Sequence, residues 1–594
     1  MTGYASRVRS HLAQMLSNGV ALAVCLAPGA LFAQGSAPTS SASAAPLTPV
    51  PLVRSPDRPN FIVIMGDDIG YSDIGAFGGE IDTPNLDELA RHSLKFSNFY
   101  NMSRCCPSRA SLLTGRYPHR VNMGENGNSL AKDVPTVAEE LRDAGYATTM
   151  IGKWHLTAAV PLKERIEQLK WLNHQAYQDR DFGDRSTYPA ARGFQHHWGT
   201  IWGIDNYYDP FSLVDDFRPV KTVPKGFYLT DDISDHAVGE VQRLSRGTQP
   251  FMMYLAYTAA HWPLMAPEAV IQKYLPRYAG GWEQLRADRY ARQVRMGLID
   301  PAANPVPALD RGYENNAGIA WHNLTEAERA VQVRKMATHA AMIDVMDRGI
   351  GRVIKALKDS GQYENTVILY LNDNGASPEI MTYADYDRWS ETRDGRHVQY
   401  GEYPELAAIG GEMTMAAIGS YWASAANTPF HWWKAEAYQG GTHTPFMMSW
   451  PGHMGRREGA TVADAAHVVD VTPTLLALAH VVPRASRAPM DGVRLDGALA
   501  GRSVRRPHPI FFEHEGSRAV IDGRWKLVAR APGPNSPVYR AWELYDLDAD
   551  RTETRNVAAE KPEVVRRLER SWNGWAKEVG VRFRIETAQA LQSD

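Results

Sequence analysis

Four short apolar runs, each cut off by residues that carry chemistry, constrain this chain more than any other feature. Phe61-Ile62-Val63-Ile64-Met65 stops at Gly66-Asp67-Asp68, and Thr366-Val367-Ile368-Leu369-Tyr370-Leu371 stops at Asn372-Asp373-Asn374-Gly375. Ala147-Thr148-Thr149-Met150-Ile151 leads into Gly152-Lys153-Trp154-His155, and Phe251-Met252-Met253-Tyr254-Leu255-Ala256 leads through Tyr257 to His261. Continuous apolar runs of this length are the pattern of strands buried on both faces. Between them lie helix signals. Thr83-Pro84 reads as an N-cap followed by a proline in the first turn, and Pro135 opens a segment with Val137, Leu141 and Ala144 that Gly145 closes. The alternation predicts an α/β fold, a large, mostly parallel mixed sheet sandwiched by helices. Ligands of such sheets bind beyond the carboxyl ends of the strands. The four polar clusters are therefore expected to meet in one crevice.

The pattern changes beyond about Arg505. Ala519-Val520-Ile521, Asp522-Gly523 and Trp525-Lys526-Leu527-Val528 read as a hairpin, Trp542 to Leu547 as a further strand, and Pro562 to Val579 as an amphipathic helix. This predicts a smaller C-terminal antiparallel sheet with a helix over 506–594, beside a catalytic α/β domain over 57–505. At the other end, Arg7 and Arg9 precede a mostly apolar stretch from Val20 to Phe32 with small residues around Ala33. That is the pattern of a secretory signal peptide over 1–33, too short for a membrane span and without a stop-transfer sequence. Residues 34–56, rich in Ser, Ala, Thr and Pro, read as a disordered linker. The expectation is an exported protein, periplasmic or secreted, with no membrane span after signal removal. Cleavage would remove Cys25 and leave Cys105 and Cys106, too close for an ordinary structural disulfide. The net charge of -3 gives no reason to expect nucleic acid, so any anion specificity must be local.

Cys105-Cys106-Pro107-Ser108-Arg109 begins a run in which Pro107 suits the first helical position and Gly115 the residue just past the end. Unpaired N–H groups and the positive dipole end would then face Cys105, a place to hold an anion. Asp67, Asp68, Asp373 and Asn374 are hard oxygen donors, suited to Ca2+ or Mg2+ and not to zinc. One Asp-Asp pair after a strand is ordinarily a cap or a solvated turn. Two such clusters after two strands, with an anion site between, point to a cation. Lys153 and His155 stand at i and i+2 and share a face if the chain stays extended. His261 and Lys434 would be unremarkable alone and gain meaning from the crevice. Trp202, Tyr207, Tyr208, Trp432 and Trp433 are candidates for an aryl pocket, although such residues are more often core.

Several of these segments resemble one enzyme family. The run from Cys105 to Arg116, Cys-x-Pro-Ser-Arg with Leu-Thr-Gly-Arg behind it, is similar to the sulfatase signature, in which the first Cys is oxidised to formylglycine. Met65 to Gly75 resembles the family's N-terminal metal strand, Gly152 to His155 its Gly-Lys-x-His segment, His261-Trp262-Pro263 its His-x-Pro element, and Asn372 to Gly375 its second metal loop. Asn427-Thr428-Pro429-Phe430 with Lys434, Gly440 and Gly441, and also Phe512 to Gly516, resemble the bacterial arylsulfatase branch. The likeness runs from about Pro59 to Val579. It implies an alkaline phosphatase-like fold and hydrolysis of a small-molecule sulfate ester. It also implies a metal, Ca2+ in preference to Mg2+, held by Asp67, Asp68, Asp373, Asn374 and the modified Cys105. Hydrated formylglycine would be the nucleophile, with Arg109 holding it and the metal surroundings in place. Lys153 and Lys434 would bind sulfate, His155 would be the base, and His261 with Lys434 would protonate the leaving oxygen. A sulfatase-maturation enzyme acting on Cys105 would be a partner. The family's Glu-Gly-Gly-x-Arg stands here as Gln439-Gly440-Gly441-Thr442-His443, and the connections Lys163–Tyr188 and Tyr274–Glu326 look particular to this chain; both bear on the substrate more than on the reaction. A phosphonate monoester or phosphodiester hydrolase of the same superfamily is the close alternative. An exported, non-catalytic metal-binding protein is another, against which Lys153, His155 and His261 argue. A cysteine hydrolase working through a Cys105 thiolate would have no use for four oxygen ligands.

Overall fold

A computed structural model of the protein describes residues 58–176, 180–310, 319–531 and 540–582. The expected signal peptide and linker, 1–33 and 34–56, lie outside the described residues.

The four apolar runs form strands β1 (Asn60–Gly66), β2 (Ala147–Gly152), β3 (Phe251–Ala256) and β4 (Thr366–Asn372). They lie side by side in the order β4-β1-β3-β2, all parallel, at the centre of a 10-stranded sheet. Phe446–Ser449 adds an antiparallel neighbour to β4, and His196–Thr200 a parallel one to β2. The register levels the strand ends: Gly66 pairs with Asn372, Met65 with Ala256, and Gly152 with Ala256. Four chemically loaded loops therefore leave the sheet at one height.

Side chains alternate between two cores, as the period of two demands. Ile62, Ile64, Met253, Leu255, Ile368 and Tyr370 face a core shared with helices Leu229–Ser245 and Glu326–Asp359. Phe61, Val63, Met65, Tyr254, Val367 and Leu369 face one shared with helices Cys105–Thr114, Val137–Asp143 and Val471–Leu478. The sheet is thus covered on both sides.

A separate four-stranded antiparallel sheet follows, with β5 (Ile510–His514), β6 (Ser517–Asp522), β7 (Trp525–Ala529) and β8 (Glu543–Asp546) in sequential order. Asp522 pairs with Trp525, so the tight loop is Gly523-Arg524, and Gly523 takes the left-handed φ of 58° that such a loop requires. Helix Pro562–Val579 covers this sheet. Trp575 stacks on Phe511 at 5.0 Å between ring centres and meets Tyr117 edge-on at 5.1 Å, so one apolar core runs from helix Cys105–Thr114 into the C-terminal elements.

Two helix starts differ from expectation. Thr136, not Pro135, caps Val137–Asp143, because its hydroxyl accepts from Glu139 N at 3.1 Å while the Glu139 carboxylate accepts from Thr136 N at 2.7 Å. Cys105 itself is the first residue of its helix, which places Pro107 third, where its missing N–H is still among the unpaired ones. Gly115 ends that helix in the left-handed conformation, as expected.

Candidate active site

Helix Cys105–Thr114 is buried along its whole length, and Cys105 sits at its N-terminal mouth after Arg104, whose backbone is extended. A hydrogen bond with Cys106, together with the nearby His155 and Lys153, holds the Cys105 thiol well below its usual range against the effect of burial, while burial pushes Cys106 up. The Cys105 sulfur and His155 lie together, with ligand-type atoms of Cys105, Cys106 and His155 within 4.8 Å of one another. His155 does not stay in extended chain. Its φ is 59°, and the chain turns at the end of β2 so that His155 reaches the cavity while Lys153 stays behind it against Asp67. Burial keeps the His155 imidazole below its ordinary pKa and hence neutral near pH 7.

Behind Cys105 lies a cluster of buried carboxylates. Arg109 Nη2 reaches Asp67 Oδ2 at 3.0 Å and Asp373 Oδ2 at 2.8 Å, and its Nη1 donates to the Lys153 carbonyl at 3.0 Å. One guanidinium thus joins the ends of β1, β2 and β4. Asn374 Nδ2 donates to Asp68 Oδ1 at 2.7 Å, and Lys434 Nζ stands 2.9 Å from the Asp68 carboxylate. Asp68 is itself left-handed at φ 56°, backbone strain that turns its side chain into the cluster. Gly375 allows the Lys434 loop to close in, since a Cβ there would lie 1.8 Å from the Gly440 carbonyl oxygen.

These residues fit a hard divalent cation. Oδ1 of Asp67, Oδ1 of Asp373 and Oδ1 of Asn374 are buried with no hydrogen-bond partner, a costly state for oxygen atoms unless an ion takes them up. Burial and the facing Asp67 push the Asp373 carboxyl well above its usual range, the conflict that a bound cation relieves. His261 Nε2 is 3.5 Å from Asp68 Oδ2, and its Nδ1 lies 2.5 Å from the Trp262 carbonyl, which sets the ring orientation. Burial, then Lys153 and Lys434, hold its pKa well below the ordinary value.

Cys105, His155, His261 and Lys434 line a cavity of about 370 Å³. Arg109 and Lys153 are fully buried behind it. Of the aromatic candidates, Trp202 lines this cavity, whereas Tyr207 and Trp433 are core and Tyr208 lines a different groove. Trp432 packs edge-on against Trp433 and lies 3.7 Å under the Arg530 guanidinium. Trp262 and Tyr386 complete the aromatic wall, with Arg104, Glu379, Asp387, Arg388 and Glu515 as its charged part. Arg104 and Trp262 could have been noticed as direct neighbours of Cys105 and His261. Asp387 and Arg388 lie in a long loop without any local signal. His443 stacks on Phe430 at 4.5 Å and contacts the Ser97 carbonyl at 2.9 Å, so it serves the core behind the site.

The sulfatase family model matches residues 59–481. The chain belongs to the sulfatase family. This sulfatase is 32% identical to the arylsulfatase of Klebsiella aerogenes over 467 residues, 74% of this chain and 91% of that protein. It is 29% identical to an uncharacterised sulfatase of Schizosaccharomyces pombe over 564 residues, 88% of this chain and 94% of the relative. Among solved structures, Ps i-CgsB in complex with k-i-k-neocarrahexaose shares the fold with a TM-score of 0.58 at 23% identity, covering 87% of this chain and 93% of that one. The protein is an enzyme that hydrolyses sulfate esters. Among the described residues, no helix is long and apolar enough to cross a membrane.

Proposed function

We propose that this sulfatase acts on small sulfate monoesters through a formylglycine made from Cys105 and a Ca2+ ion held by Asp67, Asp68, Asp373 and Asn374 together with the modified residue 105. The three unpartnered buried oxygens beside the mouth of the Cys105 helix carry this reading. Once residue 105 is converted and hydrated it would offer two hydroxyls on one carbon, one as nucleophile toward sulfur and one to expel sulfate, and a cation held by these oxygens would supply positive charge to the site. In this reading Arg109 fixes Asp67 and Asp373 while the helix N-terminus and Lys434 hold the anionic sulfate. Lys153, paired with Asp67, adds to the positive field. As the sulfur–oxygen bond to the leaving group breaks, Lys434 and His261 give that oxygen its proton, His261 taking up its own proton when the anionic ester binds beside it and offsets the burial and the lysines that keep it neutral in the empty site. His155, neutral and beside residue 105, is placed to take the proton of the second hydroxyl, which would let sulfate leave. Domain limits at 57–505 and 506–594, export to the periplasm or medium, and a maturation enzyme acting on Cys105 belong to the same proposal.

The test uses aryl sulfates that differ in leaving-group acidity. His261→Ala is expected to lose about tenfold more on phenyl sulfate than on nitrophenyl sulfate, a difference of about 1.4 kcal/mol in transition-state stabilisation. Lys153→Ala is expected to slow both equally. Equal losses for His261→Ala would remove its acid role, and faster turnover of phosphonate esters than of every sulfate would favour the related hydrolase class.

A further inference from the structure

Glu379 lies five residues past Asn374, and no motif marks it. Its carboxylate joins three parts of the cavity wall. Oε1 accepts from Arg104 Nη1 at 3.0 Å, on the residue that leads into the Cys105 helix. Oε2 accepts from Trp262 Nε1 at 2.7 Å, on the residue after His261, and from Ser377 Oγ at 2.8 Å. Lys434 Nζ stands 3.3 Å from the same oxygen. The Glu379 side chain keeps 23% of its surface and lines the cavity, whereas that of Lys434 keeps 1%.

A carboxylate on the wall of a cavity that admits an anionic ester works against binding unless cations cover it, and Arg104 and Lys434 do so here. Lysine is a flexible stem ending in three donors. With Asp68 on one side and Glu379 on the other, two of those N–H bonds are engaged and the direction of the third is set. We infer that Glu379 is a positioning residue for proton delivery to the departing oxygen: it aims Lys434 across the cavity and ties it to the Trp262 wall. The inference rests on the sulfate-ester reading above. A role in fold stability alone would act on all substrates alike.

The experiment is a double-mutant cycle on enzyme whose Cys105 conversion and calcium content have been measured, comparing wild type, Glu379→Gln, Lys434→Ala and the double variant on phenyl and nitrophenyl sulfates. Glu379→Gln keeps an acceptor for Trp262 and Ser377 and loses the charge. It is expected to change kcat/KM by less than about threefold on nitrophenyl sulfate and lower it about tenfold or more on phenyl sulfate, through kcat and with KM not raised. In the Lys434→Ala background it should add less than about a twofold loss, because acting through Lys434 makes the effects non-additive. A steep leaving-group dependence in Lys434→Ala with losses that multiply in the double variant would overturn the role of Glu379 alone. No such dependence in Lys434→Ala would overturn the acid role of Lys434 and the inference with it. Glu379→Asp keeps the charge on a shorter arm and is read in the same way, so a folding defect in either variant leaves the question answerable.

Discussion

The crevice above the central strands and the C-terminal four-stranded sheet are both deeply buried, but they are held by different physics. In the C-terminal sheet Ile510, Phe512, Ala519 and Ile521 form one apolar face, while Phe511, Val520, Leu527 and Leu544 pack with Leu568, Trp572 and Trp575 on the other. Its buried ion pair, Lys526 with Glu553 at 2.8 Å, matches one cation to one anion. In the crevice Asp67, Asp68 and Asp373 share Arg109, Lys153 and Lys434, and three carboxylate and amide oxygens at the ends of the central strands go without partners. Arrangements like the first stabilise a fold. The second leaves buried oxygens without partners where, in the proposed function, a cation and an anionic substrate enter.

The comparison can be broken most severely at Asp373. Asp373→Asn should abolish turnover, at least about a thousandfold, and lose bound Ca2+, since one donor of a small oxygen cage is gone. Chelation should lower the melting temperature of the wild type, corresponding to about 2.7 kcal/mol at a free ion concentration 100 times Kd, and leave Asp373→Asn unmoved. A variant as active and as calcium-replete as wild type would show that the orphaned oxygens are not a metal site. At the other region, Trp572→Ala should destabilise by about 3–5 kcal/mol through loss of a fully buried ring, with turnover per folded molecule unchanged. Denaturant melts and active-site titration separate the two effects. A kcat change with intact stability would show that the C-terminal sheet serves the chemistry directly.

The smallest effect concerns Asp205, in the segment just past Trp202, whose carboxyl burial pushes up to about 7 although Ser212 N and Ser212 Oγ both donate to it at 2.8 Å. Its folded pKa lies above its unfolded value. Between about pH 4 and 7 the folded state therefore holds a proton that the unfolded state has lost, and stability falls as pH rises through that window, by at most about 1.4 kcal/mol per pH unit. Asp205→Asn should flatten this slope in thermal melts taken from pH 4 to 7. An unchanged slope would place the effect elsewhere.

The central strands were legible because a strand buried on both faces is continuous in apolar residues, as in Phe61 to Met65, and because parallel strands of one sheet end level. That is why Asp67, Lys153, His261 and Asp373 could be assigned to one place from a linear pattern. The cap at Thr136 was legible in principle, since Glu139 stands three residues on, but Pro135 is the louder signal. Other features had no local trace. Nothing in Gly152-Lys153-Trp154-His155 announces that His155 turns left-handed and Lys153 withdraws behind the wall. Tyr207 and Trp433 share composition with Trp202 and differ from it only in which way the fold turns them. Glu379 acquires its neighbours from Arg104, Trp262 and Lys434, positions separated by up to 330 residues; only the folded chain joins them.

The most direct test of the account is the mass of the peptide from Cys105 to Arg109, taken from active enzyme made in a host that can mature sulfatases, beside the activity of Cys105→Ala. The account predicts an aldehyde in place of the Cys105 thiol, turnover in proportion to the converted fraction, and a folded but inactive alanine variant. Full activity in protein that carries only the unmodified thiol would contradict it.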